Sequence, residues 1–141
     1  MSEADALARS AAEVMWRDDR ASKWLGMKLE EVRAGYARMS MRVTDNMVNG
    51  HDLCHGGFIF TLADSTFAFA CNSHNQRAVA AGCSIDFLAP AFLRDVLTAE
   101  GVEQALAGRS GIYDMRVTNQ KGETIALFRG KSATIKGKLA E

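Results

Sequence analysis

One charged side chain, Asp64, stands between His55 and Gln76, inside a run that opens with a His55-Gly56-Gly57 turn. The run Phe58-Ile59-Phe60-Thr61-Leu62-Ala63-Asp64-Ser65-Thr66-Phe67-Ala68-Phe69-Ala70-Cys71 is apolar on nearly every helical face, which marks a buried helix. An ionised carboxylate held away from water costs several kcal/mol or shifts its pKa. Asp64 is therefore bonded to backbone, emerges at a subunit surface, or works as a base or nucleophile. Gly56 and Gly57 fall where the helix should begin, so unpaired N–H groups and the positive end of its dipole face the preceding loop. A carbonyl oxygen bound there gains an oxyanion donor, worth about 3–4 kcal/mol in mutational tests. Both glycines also make the turn, and glycine lets a ligand approach the backbone closely.

The elements around this helix read as follows. Apolar residues Ala4, Leu7, Ala11, Val14 and Met15 recur at helical spacing over 4–17, with Ser2 as cap. Trp16 and Trp24 are expected to anchor that helix and its exit. Two strands are expected in 28–43 around the Ala34-Gly35 turn, since Met39, Met41 and Val43 alternate with polar residues. Residues 45–57 read as a long loop leading into the buried helix, a common seat of function. Strands are expected over 77–88, 95–106, 112–118 and 124–135, the last pair joined by a hairpin loop at 119–123. Ile125-Ala126-Leu127-Phe128 is continuously apolar, which predicts a strand covered on both faces. The expected fold is α+β, one buried helix wrapped by about six mainly antiparallel strands in a single 1–141 domain, with 1–25 as N-terminal helix and connector.

The composition removes several function classes. Lys and Arg total 17, as do Asp and Glu, so the chain has no basic surface that would argue for nucleic acid. The buried helix is shorter than the roughly 20 apolar residues a membrane span needs, so no membrane is expected. The acidic start and three widely spaced cysteines (Cys54, Cys71, Cys83) fit a reducing cytoplasm without disulfides. His51, Cys54, His55 and Cys83 match no common zinc spacing, so no metal is expected. Cys54 and Cys71 read as small buried apolar side chains, and His74 as solvent-facing.

The combination Asn49-Gly50-His51, Cys54-His55-Gly56-Gly57 and Leu62-Ala63-Asp64 resembles the hotdog-fold acyl-CoA thioesterases of the phenylacetic acid degradation (PaaI-like) family. The likeness continues through Phe67-Ala68-Phe69-Ala70-Cys71-Asn72-Ser73, Ile85-Asp86-Phe87-Leu88 and Ala126-Leu127-Phe128-Arg129-Gly130-Lys131-Ser132. It implies a homodimer or homotetramer that hydrolyses aryl- or acyl-CoA thioesters, with coenzyme A as part of the substrate and no separate cofactor. By the same resemblance Asn49 orients the water or the carboxylate, and His55 hydrogen-bonds near the thioester; either could instead stabilise the loop. Related thioesterases often place a Ser or Thr on the strand after the helix. This chain departs there, with Ala80-Ala81-Gly82-Cys83-Ser84, and Ser84 is the one candidate helper.

Asp64 suits the role of general base, or of a nucleophile forming an anhydride. Gly57, Arg109, Arg129 and Lys131 are candidates to bind substrate, the cations through the CoA phosphates. Lys136 and Lys138 lie nearby. Phe58, Leu62 or Phe67 could line an aryl slot, or simply pack the core. Two rivals stand beside the thioesterase reading: a hotdog hydratase or dehydratase using His55, and a non-catalytic acyl-CoA binding protein. Finally, Asp64 lies eight residues beyond Gly56, about 12 Å along a helix axis. One subunit can hardly bring both to one reacting group, whereas two antiparallel copies related by a two-fold axis can.

Overall fold

The computed structural model describes residues Met1–Glu141. Helix α1 (Glu3–Asp18) begins at Ser2, whose hydroxyl oxygen accepts the Asp5 N–H at 3.0 Å. Its buried residues are Ala8, Ala11 and Ala12; Leu7, expected inside, is 42 % exposed. Small side chains let α1 lie close to strand β1 (Lys28–Arg33). A short helix α2 (Arg20–Trp24) follows. Trp16 stacks obliquely on Phe69, 6.2 Å between ring centres, but Trp24 is 84 % exposed and anchors nothing within the chain.

The remaining strands are β2 (Tyr36–Arg42), β3 (Ala78–Phe87), β4 (Val96–Ala107), β5 (Ser110–Thr118) and β6 (Thr124–Thr134). They form one antiparallel sheet in the order β1-β2-β4-β5-β6-β3. Gly35 turns the β1–β2 hairpin with φ 72°, a conformation glycine adopts without steric penalty. Helix α3 (Gly56–Cys71) lies across one face of the sheet. β3, the strand that follows it, crosses to the far edge and pairs only with β6.

Leu62, Ala63, Phe67, Phe69 and Ala70 press α3 onto the sheet, each at most 1 % exposed. The approach at Gly130 is tight: a side chain there would begin 2.7 Å from the Phe67 ring. That ring also meets Tyr113 and Phe128, each at 5.7 Å between centres. At the helix end, buried Asn72 donates to the Ala68 and Ala78 carbonyls at 2.9 and 3.1 Å and accepts the Ala78 N–H at 2.9 Å. One side chain thus terminates α3 and starts β3.

The sheet has a helix-facing and an outer side. Along β6, Ala126, Phe128, Gly130 and Ser132 are buried beneath α3, while Leu127, Arg129 and Lys131 are exposed. Leu127 is 39 % exposed, so the apolar run at 125–128 is not covered on both faces within one chain. The Phe67–Gly130 contact yields a prediction. Gly130→Ala forces the ring or the helix to move, and overpacking of this kind destabilises by roughly 1–3 kcal/mol. Urea unfolding followed by circular dichroism should show that loss; an unchanged midpoint would remove Gly130 as a packing determinant.

Candidate active site

The loop before α3 is tied down by its own backbone. The Cys54 N–H donates to the Ala91 carbonyl at 2.8 Å, and the His55 N–H to the Met47 carbonyl at 2.7 Å. Asn49 Oδ1 accepts the N–H groups of His51 and Leu53 at 2.9 and 3.2 Å. Asn49 therefore shapes the loop with its oxygen, which leaves its amide NH2 free to donate. His55 is the N-cap of α3 but makes no side-chain capping bond. Its Nδ1 lies 3.8 Å from where a side chain on Gly57 would begin. The N–H groups of Gly56 and Gly57 meet no acceptor in the chain, whereas Phe58 N–H is satisfied by the His55 carbonyl at 3.0 Å. Two free donors thus point out of a helix N-terminus, the arrangement an oxyanion requires.

Asp64 lies on the side of α3 away from the sheet. Gly57, Thr61, Asp64 and Ala68 recur at helical spacing and form a stripe that is exposed or half-buried, opposite the sheet-facing residues. Within the chain the Asp64 carboxylate makes no ion pair, and burial alone raises its pKa above the usual carboxylate value. Cys71 and Cys83 lie within its electrostatic reach: burial pushes Cys71 up to about 12, and the Asp64 charge adds to that rise. Cys83, exposed at the sheet edge, is also raised, first by partial desolvation of its thiol and then by the Asp64 charge.

The strand register settles the Ser84 question. Ser84 pairs with Arg129 on the outer side of the sheet, and Cys83 pairs with Gly130 on the α3 side. Ser84 thus faces away from Asp64, and Cys83 occupies the helix-facing place. The expected aryl-slot residues divide similarly. Leu62 and Phe67 are core, 0 % and 1 % exposed. Phe58 lines a small cavity of 160 Å³ with Trp24, Leu25 and Met47. A cleft of 440 Å³ opens instead at Gly56, between Cys54, Ile59 and the Phe87–Ala91 segment. Its part in the site was not visible in the sequence.

The basic candidates do not gather at this cleft. Arg129 and Lys131 are on the outer side, and Arg109 is in the β4–β5 turn. Arg129 is held by Asp114 through two hydrogen bonds of 2.6 and 2.8 Å, which keep the Asp114 carboxyl below its usual range. That pair borders the largest cavity, 510 Å³, whose lining mixes Asp86, Glu100 and Asp114 with Arg116 and Arg129. The sheet separates it from Asp64. His74 is exposed as expected but pairs with Glu103 at 2.6 Å. No three His, Cys, Asp or Glu side chains cluster as metal ligands would, and no helix is long and apolar enough to cross a membrane.

A pair of free helix-terminal N–H donors and an unpaired carboxylate on one helix are the kinds of group that hydrolysis of an activated carbonyl would use. Residues 51–126 match the family described as the thioesterase superfamily. The acyl-coenzyme A thioesterase PaaI of Escherichia coli is 46 % identical over 126 residues, 89 % of this chain and 90 % of that protein. The structure of the E. coli PaaI protein from the phenylacetic acid degradation operon superposes with a TM-score of 0.94 at 43 % identity, covering 96 % of this chain and 99 % of that one. The Streptococcus mutans protein smu.793, solved bound to acetyl-CoA, superposes with a TM-score of 0.75 at 27 % identity, covering 79 % and 90 %. The chain belongs to the thioesterase superfamily and, within it, to the hotdog-fold, PaaI-like acyl-CoA thioesterases.

The raised pKa of Asp64 makes a prediction about stability. Its folded-state value lies above the unfolded one, so above about pH 4 the unfolded chain gives up this proton first. Ionising Asp64 therefore opposes folding as pH rises through that window. Asp64→Asn should be more thermostable than the wild type at pH 7, and the gain should vanish towards pH 3. A variant less stable at pH 7 would show that the carboxylate is favourably paired.

Proposed function

We propose that this enzyme hydrolyses CoA thioesters of aryl and acyl groups, phenylacetyl-type esters among them, in sites that a second copy of the chain completes. The observation that carries this is the spacing on α3. The free amides at Gly56 and Gly57 end the helix whose middle carries Asp64, and the backbones of Gly56 and Asp64 are about 12 Å apart along the axis, eight residues at 1.5 Å each. Base and donor must both reach within about 3 Å of the reacting group, directly or through one water. An antiparallel partner helix laid on the Asp64 stripe sets the partner subunit's Asp64 beside these amides. The edge strand β3 supports the pairing. Residues Val79 to Ser84 are all exposed and carry no charge, the kind of unguarded edge that a second copy can extend.

In the assembled site the thioester oxygen accepts the free N–H groups. The partner subunit's Asp64 takes a proton from water as it adds to the carbonyl carbon, or attacks that carbon itself. The C–S bond breaks, and the CoA thiolate leaves and takes up the proton held by that carboxylate. On the nucleophilic route the anhydride formed there is then hydrolysed by water, which releases the acid, restores the carboxylate and supplies the thiolate's proton. On this reading Asn49 NH2 and His55, both in the loop before α3, orient the nucleophile or the thioester. Arg109 and Lys131, exposed and without an ion pair, are freer than the occupied Arg129 to meet CoA phosphates, although none of the three lies at the cleft. The reaction needs no metal on this reading, since base and oxyanion donors suffice. Three free thiols fit a reducing cytoplasm.

Asp64→Asn should lower kcat by about 10²- to 10⁴-fold with little change in substrate affinity. The acid limb of the wild-type rate profile should sit above the ordinary carboxylate range, because burial raises Asp64. An active Asp64→Asn beside a dead His55→Ala would overturn this assignment in favour of hydratase-type chemistry. Treatment with a strong chelator should leave CoA release unchanged; a loss restored by a divalent cation would refute the metal-free reading.

The shared site is tested by mixing two inactive chains. Gly56 is unsuitable for the second, because a side chain there meets Phe87 at 3.0 Å. Gly57 is open, and proline is tolerated in a first helical turn, so Gly57→Pro removes one donor. Refolded together with Asp64→Asn in equal amounts, half the dimers are mixed and each holds one intact site. Activity should return to about a quarter of wild type. Two proteins that refold and exchange yet stay inactive together would exclude a shared site.

A further inference from the structure

Phe87 ends β3 on the α3 side of the sheet, opposite Ala126. Its ring atoms Cζ, Cε1 and Cε2 lie 3.0, 3.3 and 3.5 Å from the point where a side chain on Gly56 would begin. The ring tip therefore rests on the first residue of α3, beside the two free amides. Yet 51 % of the residue remains exposed. Its open side walls the 440 Å³ cleft, together with Cys54, Ile59, Leu88, Ala89 and Pro90. No charged side chain lines this cleft. An apolar cavity of about 150 Å³ already accepts benzene, so an aryl ring fits here with room for its connecting atoms.

The position of the cleft restricts what can occupy it. A thioester whose oxygen sits at the Gly56 and Gly57 amides has its carbonyl carbon next to the Phe87 tip. The first atoms of the acyl group must then run along the Phe87 ring into the cleft. Aromatic rings pair favourably edge-to-face or offset, beyond what their buried area alone provides. Beside Ile59 and Leu88, the wall is short and stiff: the Pro90 ring, two alanines and the Cys54 sulfur, itself a good neighbour for a ring. The loop and the Leu88–Ala91 segment are held together by the Cys54–Ala91 hydrogen bond and by the Leu53–Phe92 bridge. The slot is thus built before the acyl group arrives.

We infer that Phe87 is the specificity-determining wall of the acyl slot, and that it favours acyl groups whose ring follows the carbonyl after one or two methylenes. The inference rests on the thioesterase reading above. It also accounts for Gly56 in a second way: any side chain there would displace Phe87 from the helix terminus.

The test compares phenylacetyl-CoA with hexanoyl-CoA, an aliphatic ester of similar reach. Phe87→Ala should lower the ratio of their kcat/KM values by about five- to tenfold, the size of an aromatic pair. Phe87→Leu should give an intermediate loss, and Phe87→Tyr should keep most of the preference. A ratio within twofold of wild type in both the Ala and Leu variants overturns the inference while leaving the thioesterase reading intact. Should the wild type release CoA from no ester, that reading fails instead. The slot is then judged by calorimetric affinities for the thioethers S-phenethyl-CoA and S-hexyl-CoA, where the same fivefold or larger shift is expected. Equal shifts for the two thioethers would again refute it. Phe87→Leu, which keeps an apolar residue, serves both arms if Phe87→Ala fails to fold.

Discussion

The contact of Phe67 with Gly130 sets the roll of α3 about its own axis, and that roll decides what the helix shows to the outside. With Leu62, Ala63, Phe67 and Ala70 committed to the sheet, the stripe of Gly57, Thr61, Asp64 and Ala68 has to face away. A helix rotated by one residue, about 100°, would carry Asp64 towards the core, where an unpaired carboxylate is expensive. The lone charge and the lone glycine in β6 thus enforce the same orientation from opposite sides. Close packing makes the choice discrete, since a ring seated on a backbone hydrogen has no nearby alternative position.

The same helix holds the two groups proposed for the chemistry and keeps them apart. Its N-terminus offers donors and a positive dipole end, which favour the charge that develops on a carbonyl oxygen. Its middle holds a carboxylate whose burial raises its pKa, which suits a base better than an ordinary surface aspartate. Were the two adjacent in one chain, the amides would hydrogen-bond the carboxylate, lower its pKa and leave neither free for substrate. Eight residues of separation keep both unsatisfied within one chain, and in the proposed dimer a partner helix supplies the complement. An unpaired charge reduces stability, and on the proposed reading its presence here follows the usual conflict between a functional site and an optimally packed one.

Much of this was legible in the sequence because hydrophobic periodicity and turn chemistry are local. The apolar run at 58–71, the Ala34-Gly35 turn, the hairpin at 119–123 and the six strands all announce themselves over a few residues. The lone Asp64 and the His55-Gly56-Gly57 turn were legible for the same reason. What failed depended on contacts distant in sequence. Trp24, an apolar residue after an amphipathic helix, looked like an anchor, yet the chain folds nothing over it. Leu62 and Phe67 could not be divided between slot and core until the sheet beneath them was placed. Arg129 looked like a free cation until the β5–β6 register set Asp114 opposite it.

Strand β3 shows most clearly how a small backbone event redistributes function. Counting by twos from Ala78 would place Ala80, Gly82 and Ser84 on one face. Between Ala80 and Gly82, however, the pairing with β6 slips: Ala80 meets Ser132 and Gly82 meets Lys131. That irregularity absorbs one residue and reverses the facing of everything after it. Ser84 and Asp86 turn to the outer groove, while Cys83, Ile85 and Phe87 turn to α3. The reversal puts the Cys83 thiol near the Asp64 carboxylate and the Phe87 ring on Gly56. Without the slip, Asp86 would face the helix instead, bringing a second carboxylate into an apolar layer. The displaced residue at Ala81 also leaves the exposed edge of β3 without a hydroxyl of its own on the helix side. On the proposed reading, an edge that accepts a second copy of the chain, faces a carboxylate and walls an acyl slot does all three only with its register shifted in this way.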